Sequence, residues 1–344
     1  MAWPAFRSEN PYNVRLYGEL AGQGIAVSDF SPRKLLLKPP AVFHVHWPEI
    51  TINQPSAPRA LLRGVAFLCL LGLARLRGCT VVWTVHNLQS HERLHPALER
   101  AFWTLFLRLV SGFITLTEGG RRAALSRYPV LRGRPGFVVP SGHFRGICPD
   151  TVTDSEARAA LGVPRGALVC GFLGQVRPYK NVTHLVRSFR SMADERTHLV
   201  VAGRPDTAAT AADIVRAAGD DPRIVLALEH IADERVQFYL RSCDLIVLPF
   251  SDVLNSGSAL LALAFDRPVL VPLLGSMGEL QALAGSDWVR TYTGELTPGE
   301  LATALRWARV TRRTRCDELE ALDWRLIARR TLDVYRALGF RQAA

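Results

Sequence analysis

Residues 244–280, DLIVLPFSDVLNSGSALLALAFDRPVLVPLLGSMGEL, contain the pattern that decides the fold. The apolar run at 245–248 predicts a buried strand, and a polar loop then leads to a Ser-Gly-Ser turn. A helix is predicted from about 259 to 265, followed by a second buried strand at 268–271. Strand, glycine-containing turn, helix and strand form half of an open α/β sheet, in which ligands bind at the carboxyl ends of the strands.

The Ser-Gly-Ser turn is a candidate phosphate site. Ser256, Gly257, Ser258 and Ala259 lie at the start of the predicted helix. Their backbone N–H groups and the positive end of the helix dipole are therefore available to an anion. We interpret this turn as the seat of the diphosphate of a sugar nucleotide, although an ordinary helix N-cap also accounts for these residues taken alone.

A second stretch, residues 171–181 with the sequence GFLGQVRPYKN, supports the phosphate interpretation. A predicted strand ends at Gly174, which lets the backbone approach a ligand. Arg177 and Lys180 follow before the next predicted helix. Two cations at this position can stabilise a diphosphate leaving group as a glycosidic bond breaks. A pair of solvated surface cations is the alternative interpretation.

The alternation of short apolar strands with helices predicts two domains. It begins after an irregular entry at 2–9 and includes an early strand at 27–30. A charged linker containing Pro and Gly is predicted at 145–165, and the alternation then resumes. We therefore predict an α/β fold, with two Rossmann-like domains facing each other across a cleft. The predicted domains are 1–150 and 151–324, with a C-terminal helix at about 325–344 that belongs to the first.

Polar side chains follow two predicted strands of the first domain. Glu49 comes after the strand at 42–46, and His86 and Asn87 come after the strand at 80–84. Because parallel strands deliver such residues to one edge of a sheet, we expect them near an acceptor. His86 and Glu49 are candidate catalytic groups, and Asn87 is a candidate acceptor-side group. Further acceptor-side candidates at later strand ends are Glu118 and His143.

The loop after His86 is rich in histidine. His91 and His95 lie four residues apart, as in some metal sites, with Glu92 between them. No third ligand with suitable spacing accompanies them, so no metal is predicted. His44, inside the preceding strand, is predicted to be a core histidine.

The net charge of +11 is concentrated in one half of the chain. Residues 1–150 hold 18 Lys and Arg against 8 Asp and Glu, whereas residues 151–344 hold 24 against 23. A basic half indicates nucleic acid, anionic lipid or a phosphate-bearing substrate. Nucleic acid is not predicted, because no recognition-helix, RNP-like or zinc-finger motif is present. Six scattered cysteines and an N-terminus without a signal-peptide pattern predict a reduced, cytoplasmic protein.

Residues 59–77, RALLRGVAFLCLLGLARLR, predict a strongly apolar helix with arginines at both ends. Two interpretations stay open. The helix packs on the sheet as part of the core, or it contacts a membrane surface with its arginines at lipid phosphates. The second interpretation adds a peripheral position at the inner face of the cell membrane.

Several motifs together resemble the GT-B glycosyltransferases, particularly those of the family-4 type. The matching strings span nearly the whole chain: TVHN, GFLGQVRPYKN, VVAGRP, the 244–280 segment and DWRLIARRTLDVY. NPYNVRLYGEL, VFHVHWPE and PSGHFRG are similar to bacterial exopolysaccharide transferases such as the β-mannosyltransferase of xanthan assembly. The resemblance implies a C-terminal helix that packs on the N-terminal domain.

The resemblance also implies a reaction. A sugar is transferred from a nucleoside diphosphate donor, with GDP-mannose favoured, to a hydroxyl of a saccharide acceptor in polysaccharide biosynthesis. The basic half fits an acceptor carried on a polyprenyl diphosphate. No cofactor or metal is required, because cations and backbone N–H groups stabilise the diphosphate. In an inverting reaction, which the closer resemblance favours, His86 or Glu49 would be the general base; in a retaining one, His86 would contact the donor sugar.

One departure from the family pattern concerns the donor. The family places acidic residues on both sides of the phosphate-binding turn, and here those positions are Val253 and Leu261. Two alternatives therefore stay open: a sugar-nucleotide epimerase of the same fold, which would need several acidic groups, and a catalytically inactive sugar-nucleotide-binding protein. The candidates for contacts to the donor sugar or nucleotide are Asn255, Gly203, Arg204 and Glu279.

Overall fold

The computed structural model describes residues 1–4, 11–90, 94–311 and 313–341. The chain forms two compact units, Met1–Gly142 with Leu322–Ala344, and His143–Ala321. The strands are β1 Ala2–Trp3, β2 Val42–Val45, β3 Thr80–Val85, β4 Gly112–Thr115, β5 Gly136–Val138, β6 Leu168–Leu173, β7 Thr197–Ala202, β8 Ile224–Ala227, β9 Leu245–Val247, β10 Val269–Pro272 and β11 Val289–Tyr292. The helices are α1 Pro11–Gly22, α2 Pro32–Leu37, α3 Ala57–Leu76, α4 Pro96–Leu109, α5 Glu118–Arg127, α6 Asp154–Ala160, α7 Val182–Arg190, α8 Ala208–Ala218, α9 Asp233–Ser242, α10 Gly257–Ala264, α11 Met277–Ala284, α12 Pro298–Val310 and α13 Trp324–Ala337.

The first unit is built on a five-stranded parallel sheet in the order β1-β2-β3-β4-β5. Strands β2 and β4 are buried along their whole length, as expected for a parallel sheet covered on both faces. The C-terminal helix α13 packs with α1 in the core of this unit. This cluster includes Tyr12, Leu16, Leu20, Trp324, Ile327 and Tyr335.

The start of the chain differs from the prediction. The strand predicted at 27–30 is absent from the described residues, where Asp29 forms only an isolated bridge to Ala2. Ser31 already caps α2, so few residues remain for a ladder. The entry predicted as irregular contains the two-residue strand β1, and its residues 5–10 lie outside the described part of the chain.

The second unit is built on a six-stranded parallel sheet in the order β11-β10-β9-β6-β7-β8. The order of the strands along the sheet reverses between β6 and β9, which pair directly. Ligands in open α/β sheets bind beside such a reversal, at the carboxyl ends of the strands. The loops after β6 and β9 are therefore the expected ligand-binding loops of this unit.

Two predictions about the second unit were incomplete. The linker predicted at 145–165 contains α6, whose start is fixed by a capping box between Thr153 and Glu156. Each side chain accepts from the backbone N–H of the other residue, and this signature is visible in the sequence TDSE. The prediction also omitted α11 and β11, which follow β10.

Candidate functional site

Three strand ends of the second unit meet around Gly174. Gly174 has φ +141°, and a Cβ placed on it would lie 2.8 Å from Ser258 Oγ and 3.3 Å from Lys180 Nζ. A Cβ on Gly203, which follows β7, would lie 2.0 Å from the Gly174 carbonyl oxygen. Only glycine fits such close approaches of backbone to backbone. The structure thus brings the loops after β6, β7 and β9 together, with one cation and one hydroxyl at their centre.

Lys180 and Arg177 are unneutralised cations at this meeting point. Among the residues that the structure describes, neither side chain has an ion-pair or hydrogen-bond partner. Lys180 Nζ lies 5.9 Å from the centre of the Phe172 ring. Burial, and to a smaller extent the charge of Arg177, lowers the pKa of the Lys180 ammonium to about 8. An anion bound here would favour the charged ammonium and offset its desolvation.

The turn before α10 combines a helix cap with unused polar groups. Ser256 is the N-cap, and its Oγ accepts from the Ala259 N–H at 3.1 Å. The N-cap interpretation is therefore correct for this hydroxyl. Both polar atoms of the Asn255 side-chain amide are buried without a partner in the described structure. Because an unsatisfied buried amide is costly, these atoms are suited to bind a ligand.

The two remaining donor-side candidates occupy different settings. The Arg204 side chain is exposed, and its backbone carbonyl accepts from the Val176 N–H at 3.0 Å. Glu279 lies in the first turn of α11 and is partly buried. The loop before α11 approaches the position of the missing family carboxylate, since a Cβ on Gly275 would lie 1.7 Å from the Val253 carbonyl oxygen. The roles of Arg204 and Glu279 stay predictions.

Glu49 and Asn87, predicted from two separate strand ends, are in contact in the first unit. Glu49 lies in a 3-10 turn, Pro48–Thr51, after β2, and Asn87 Nδ2 donates to its Oε1 at 3.1 Å. The Glu49 side chain is buried. Burial raises the pKa of the Glu49 carboxyl to about 7, and the hydrogen bond from Asn87 opposes this shift. A carboxyl group with such a pKa can accept a proton near neutral pH.

His86 lies in an aromatic setting. Its ring stacks on Trp47 with centroids 4.2 Å apart and packs edge-on against Tyr12 at 4.7 Å. His86 Nε2 is hydrogen-bonded to His46 Nδ1 at 3.0 Å. Burial lowers the pKa of His86 to about 3, so the imidazole is neutral. The pKa values of Glu49 and His86 therefore differ in the direction that makes Glu49 the stronger base.

The other acceptor-side candidates are placed differently. Glu118 begins α5, and its carboxylate forms an exposed ion pair with Arg121 at 2.6 Å. His143 is buried at the start of the second unit, and its Nδ1 accepts from the Arg145 N–H at 3.3 Å. Their roles in acceptor binding stay predictions.

The histidine-rich loop is described only in part. His91 and Glu92 lie outside the described residues, and His95 Nε2 is hydrogen-bonded to the Gln54 carbonyl at 2.7 Å. Within the described ranges, no group of three or more His, Cys, Asp or Glu could hold a metal ion. That the reaction needs no metal stays a prediction.

Comparison with known proteins identifies the family. The family described as "Glycosyl transferases group 1" matches residues 167–307. A GDP-mannose:glycolipid 4-beta-D-mannosyltransferase of Xanthomonas campestris pv. campestris is 32% identical over 333 residues, which cover 96% of this chain and 89% of that protein. The chain belongs to the group 1 glycosyltransferases. The prediction of a sugar-transferring enzyme is therefore confirmed for this glycosyltransferase.

Solved structures place the glycosyltransferase in the GT-B fold. Anabaena HepE in complex with UDP and glucose is similar with a TM-score of 0.65 and 18% identity, covering 89% of this chain and 81% of HepE. Sucrose-phosphate synthase from Thermosynechococcus elongatus is similar with a TM-score of 0.64 and 18% identity, covering 87% of this chain and 73% of that one. The predicted α/β fold of GT-B type is confirmed.

Sequence reasoning missed some polar neighbours of His86 in the glycosyltransferase. The sequence predicts Tyr12 only as part of a helix cap and Tyr17 only as an apolar position of that helix, yet Tyr17 Oη is hydrogen-bonded to His46 Nε2 at 2.5 Å. His44 is buried, as predicted. The spacing of His44 and His46 could have indicated these buried polar contacts, because residues two apart on a strand lie on the same face.

Proposed function

We propose that this glycosyltransferase transfers mannose from GDP-mannose to a hydroxyl of a lipid-linked saccharide. The observation that carries the proposal is the pair of unneutralised cations, Arg177 and Lys180, beside the strand-order reversal of the second unit. A diphosphate is the chemical group that this arrangement fits. The donor and acceptor follow the name of the 32% identical mannosyltransferase, which spans nearly the whole chain.

The principal candidates have separate roles in the proposed reaction. Arg177, Lys180 and the N–H groups of the 256–259 turn hold the diphosphate and stabilise it as the leaving group, without a metal ion. The Asn255 amide and Glu279 contact hydroxyls of the donor. Glu49, held by Asn87, takes the proton from the attacking hydroxyl, and the neutral His86 orients the acceptor. A base acting on the acceptor fits an inverting reaction.

A thermal-shift screen tests the donor. GDP-mannose should raise the unfolding temperature more than UDP-glucose, dTDP-glucose or ADP-glucose at equal concentration. A donor present at a hundred times its Kd stabilises by about 2.7 kcal/mol. Stabilisation by a different nucleotide alone would refute GDP-mannose but keep the diphosphate site. Failure of every nucleotide would favour the catalytically inactive alternative.

Helix α3 supports a peripheral position at a membrane. Within the described ranges, α3 is the one helix whose length and composition would allow it to span a membrane. Only 28% of its apolar 18-residue stretch is buried inside the protein. One face of the helix nevertheless packs inside the first unit, so we propose that α3 lies on the membrane surface. The packed face is Ala60, Gly64, Phe67, Leu71 and Ala74; the exposed face includes Leu61, Leu62, Val65, Leu73 and Leu76. Three arginines lie in or next to α3 in the sequence, Arg59, Arg63 and Arg77, and the neighbouring helix α2 adds Arg33 and Lys34.

Vesicle sedimentation tests the membrane proposal. The protein should bind anionic vesicles at low salt and be released as salt is raised. Leu62→Glu should weaken binding roughly tenfold or more, because a buried leucine side chain contributes about 1.5–3 kcal/mol. Val310→Glu changes a similarly exposed side chain of the second unit and should bind like the wild type. Equal binding of the two variants would contradict a contact through α3.

A further inference from the structure

Two short chains of side-chain hydrogen bonds lie in the interior of the first unit. One of them, the His–Tyr chain, ends at His86: Tyr17 Oη bonds to His46 Nε2 at 2.5 Å, and His46 Nδ1 bonds to His86 Nε2 at 3.0 Å. The other joins Tyr335 Oη, His44 and Thr84 Oγ1 at 2.7 Å for each bond, and its His44 ring lies 4.3 Å from the His46 ring, measured between centroids.

The His–Tyr chain joins elements that are distant in sequence, because Tyr17 belongs to α1 whereas His46 and His86 follow β2 and β3. Both nitrogens of His46 are therefore engaged inside the protein. His86 differs, because no described residue bonds to its Nδ1 and its ring is partly exposed.

This connectivity couples the protonation of the His46 and His86 rings. A neutral histidine donates from one nitrogen and accepts at the other. If Tyr17 Oη donates to His46 Nε2, then His46 Nδ1 donates to His86 Nε2, and both rings carry their proton on Nδ1. If His46 Nε2 donates to Tyr17 Oη, then His86 Nε2 donates to His46 Nδ1, and both rings carry their proton on Nε2. Burial lowers the pKa of both histidines, which keeps the rings in the neutral form that this rule requires.

We propose that the His–Tyr chain fixes the tautomer of His86, and that Tyr17 and His46 are thereby positioning residues for sugar transfer. The tautomer decides whether His86 Nδ1 accepts from or donates to a hydroxyl of the acceptor. Shared tautomers follow from the hydrogen bonds alone; the effect on transfer rests on the proposed function of His86.

Nuclear magnetic resonance of protein labelled with ¹⁵N in the histidine rings tests the coupling. Long-range ¹H–¹⁵N correlations distinguish the two neutral tautomers, and His86→Gln assigns the His86 signals. We expect His46 and His86 to have the same tautomer. Different tautomers in these two rings of the wild type would overturn the proposal, whether or not the protein transfers sugar.

Kinetics of Tyr17→Phe test the positioning role. The substitution keeps the buried ring and removes only the hydroxyl, so the ¹⁵N signals of His86 should change and kcat should fall roughly tenfold, as for the loss of one hydrogen bond. The KM for the donor should stay the same. Tyr128→Phe is the matched control, because the buried Tyr128 hydroxyl bonds to the Leu88 carbonyl and takes no part in the His–Tyr chain.

Three results would overturn the positioning role. They are unchanged kcat in Tyr17→Phe, a reduced kcat with unchanged His86 signals, and an equal loss of kcat in Tyr128→Phe. Absence of transfer by the wild type with every donor would refute the proposed function, and the shared tautomers would still be measurable. The failures of the two proposals are thus distinguishable.

Discussion

Lys180→Ala should lower kcat/KM for the sugar-nucleotide donor by roughly 100-fold, the effect of removing one preorganised charge from a developing anion. Lys180 Nζ lies beside Gly174 and Ser258, and no described residue neutralises it. The substitution therefore removes an interaction with the diphosphate and leaves the internal ion pairs intact. Steady-state kinetics with GDP-mannose and titration of GDP by calorimetry would measure the loss.

The stability of Lys180→Ala separates a binding effect from a folding effect. Burial lowers the pKa of the Lys180 ammonium, so the charged form is costly in the absence of an anion. The variant should therefore unfold at the same temperature as the wild type or at a higher one, and should lose its stabilisation by nucleotide. Arg216→Ala, which removes an exposed cation paired with Asp213 in the same unit, is the control and should keep full activity. Wild-type nucleotide stabilisation in Lys180→Ala would place the diphosphate elsewhere.

Much of the fold is predictable because local signals agree with the tertiary structure. The strands predicted at 42–46, 80–84 and 245–248 match β2, β3 and β9 to within one residue at each end. In α8 the Thr207 cap and Gly219 define both ends, and in α9 acidic residues begin the helix. The missed helices, α2, α6 and α11, have at most eight residues each. Such lengths give too little apolar periodicity to identify a helix, and only the caps of α2 and α6 could have identified them.

The candidate site was predictable in part. Parallel strands place polar residues at one sheet edge, which is why Glu49 and Asn87 were found from two strand ends. Their mutual hydrogen bond, and the burial that shifts the pKa of Glu49, depend on packing that no local pattern encodes. The same is true of Tyr335, which reaches His44 from 291 residues away in the chain.

Glu49→Gln should lower kcat by roughly 1,000-fold, within the range that a general base contributes. The amide is close in shape to the carboxyl, and its oxygen can still accept from Asn87 Nδ2, so the local structure should persist. Because burial raises the pKa of Glu49 to about 7, wild-type activity should fall as the pH is lowered through that value. The residual rate of Glu49→Gln should not show this step. Glu229→Gln, an exposed position of the second unit, is the control and should keep the wild-type profile.

The Glu49 contribution to the stability of the wild type should depend on pH in the opposite sense to its activity. The pKa of this carboxyl rises from its ordinary 4.5 to about 7 on folding, so the folded state holds a proton that the unfolded chain releases between these values. Its stabilising contribution is fully present below pH 4.5 and is lost as the pH rises through about 7. The variant carries no such proton, so at pH 8 calorimetry should show it to be more stable than the wild type by roughly 1–3 kcal/mol. Lower stability of the variant at pH 8 would mean that the ionised carboxylate is well solvated or paired, and burial would then give Glu49 no advantage as a base near neutral pH.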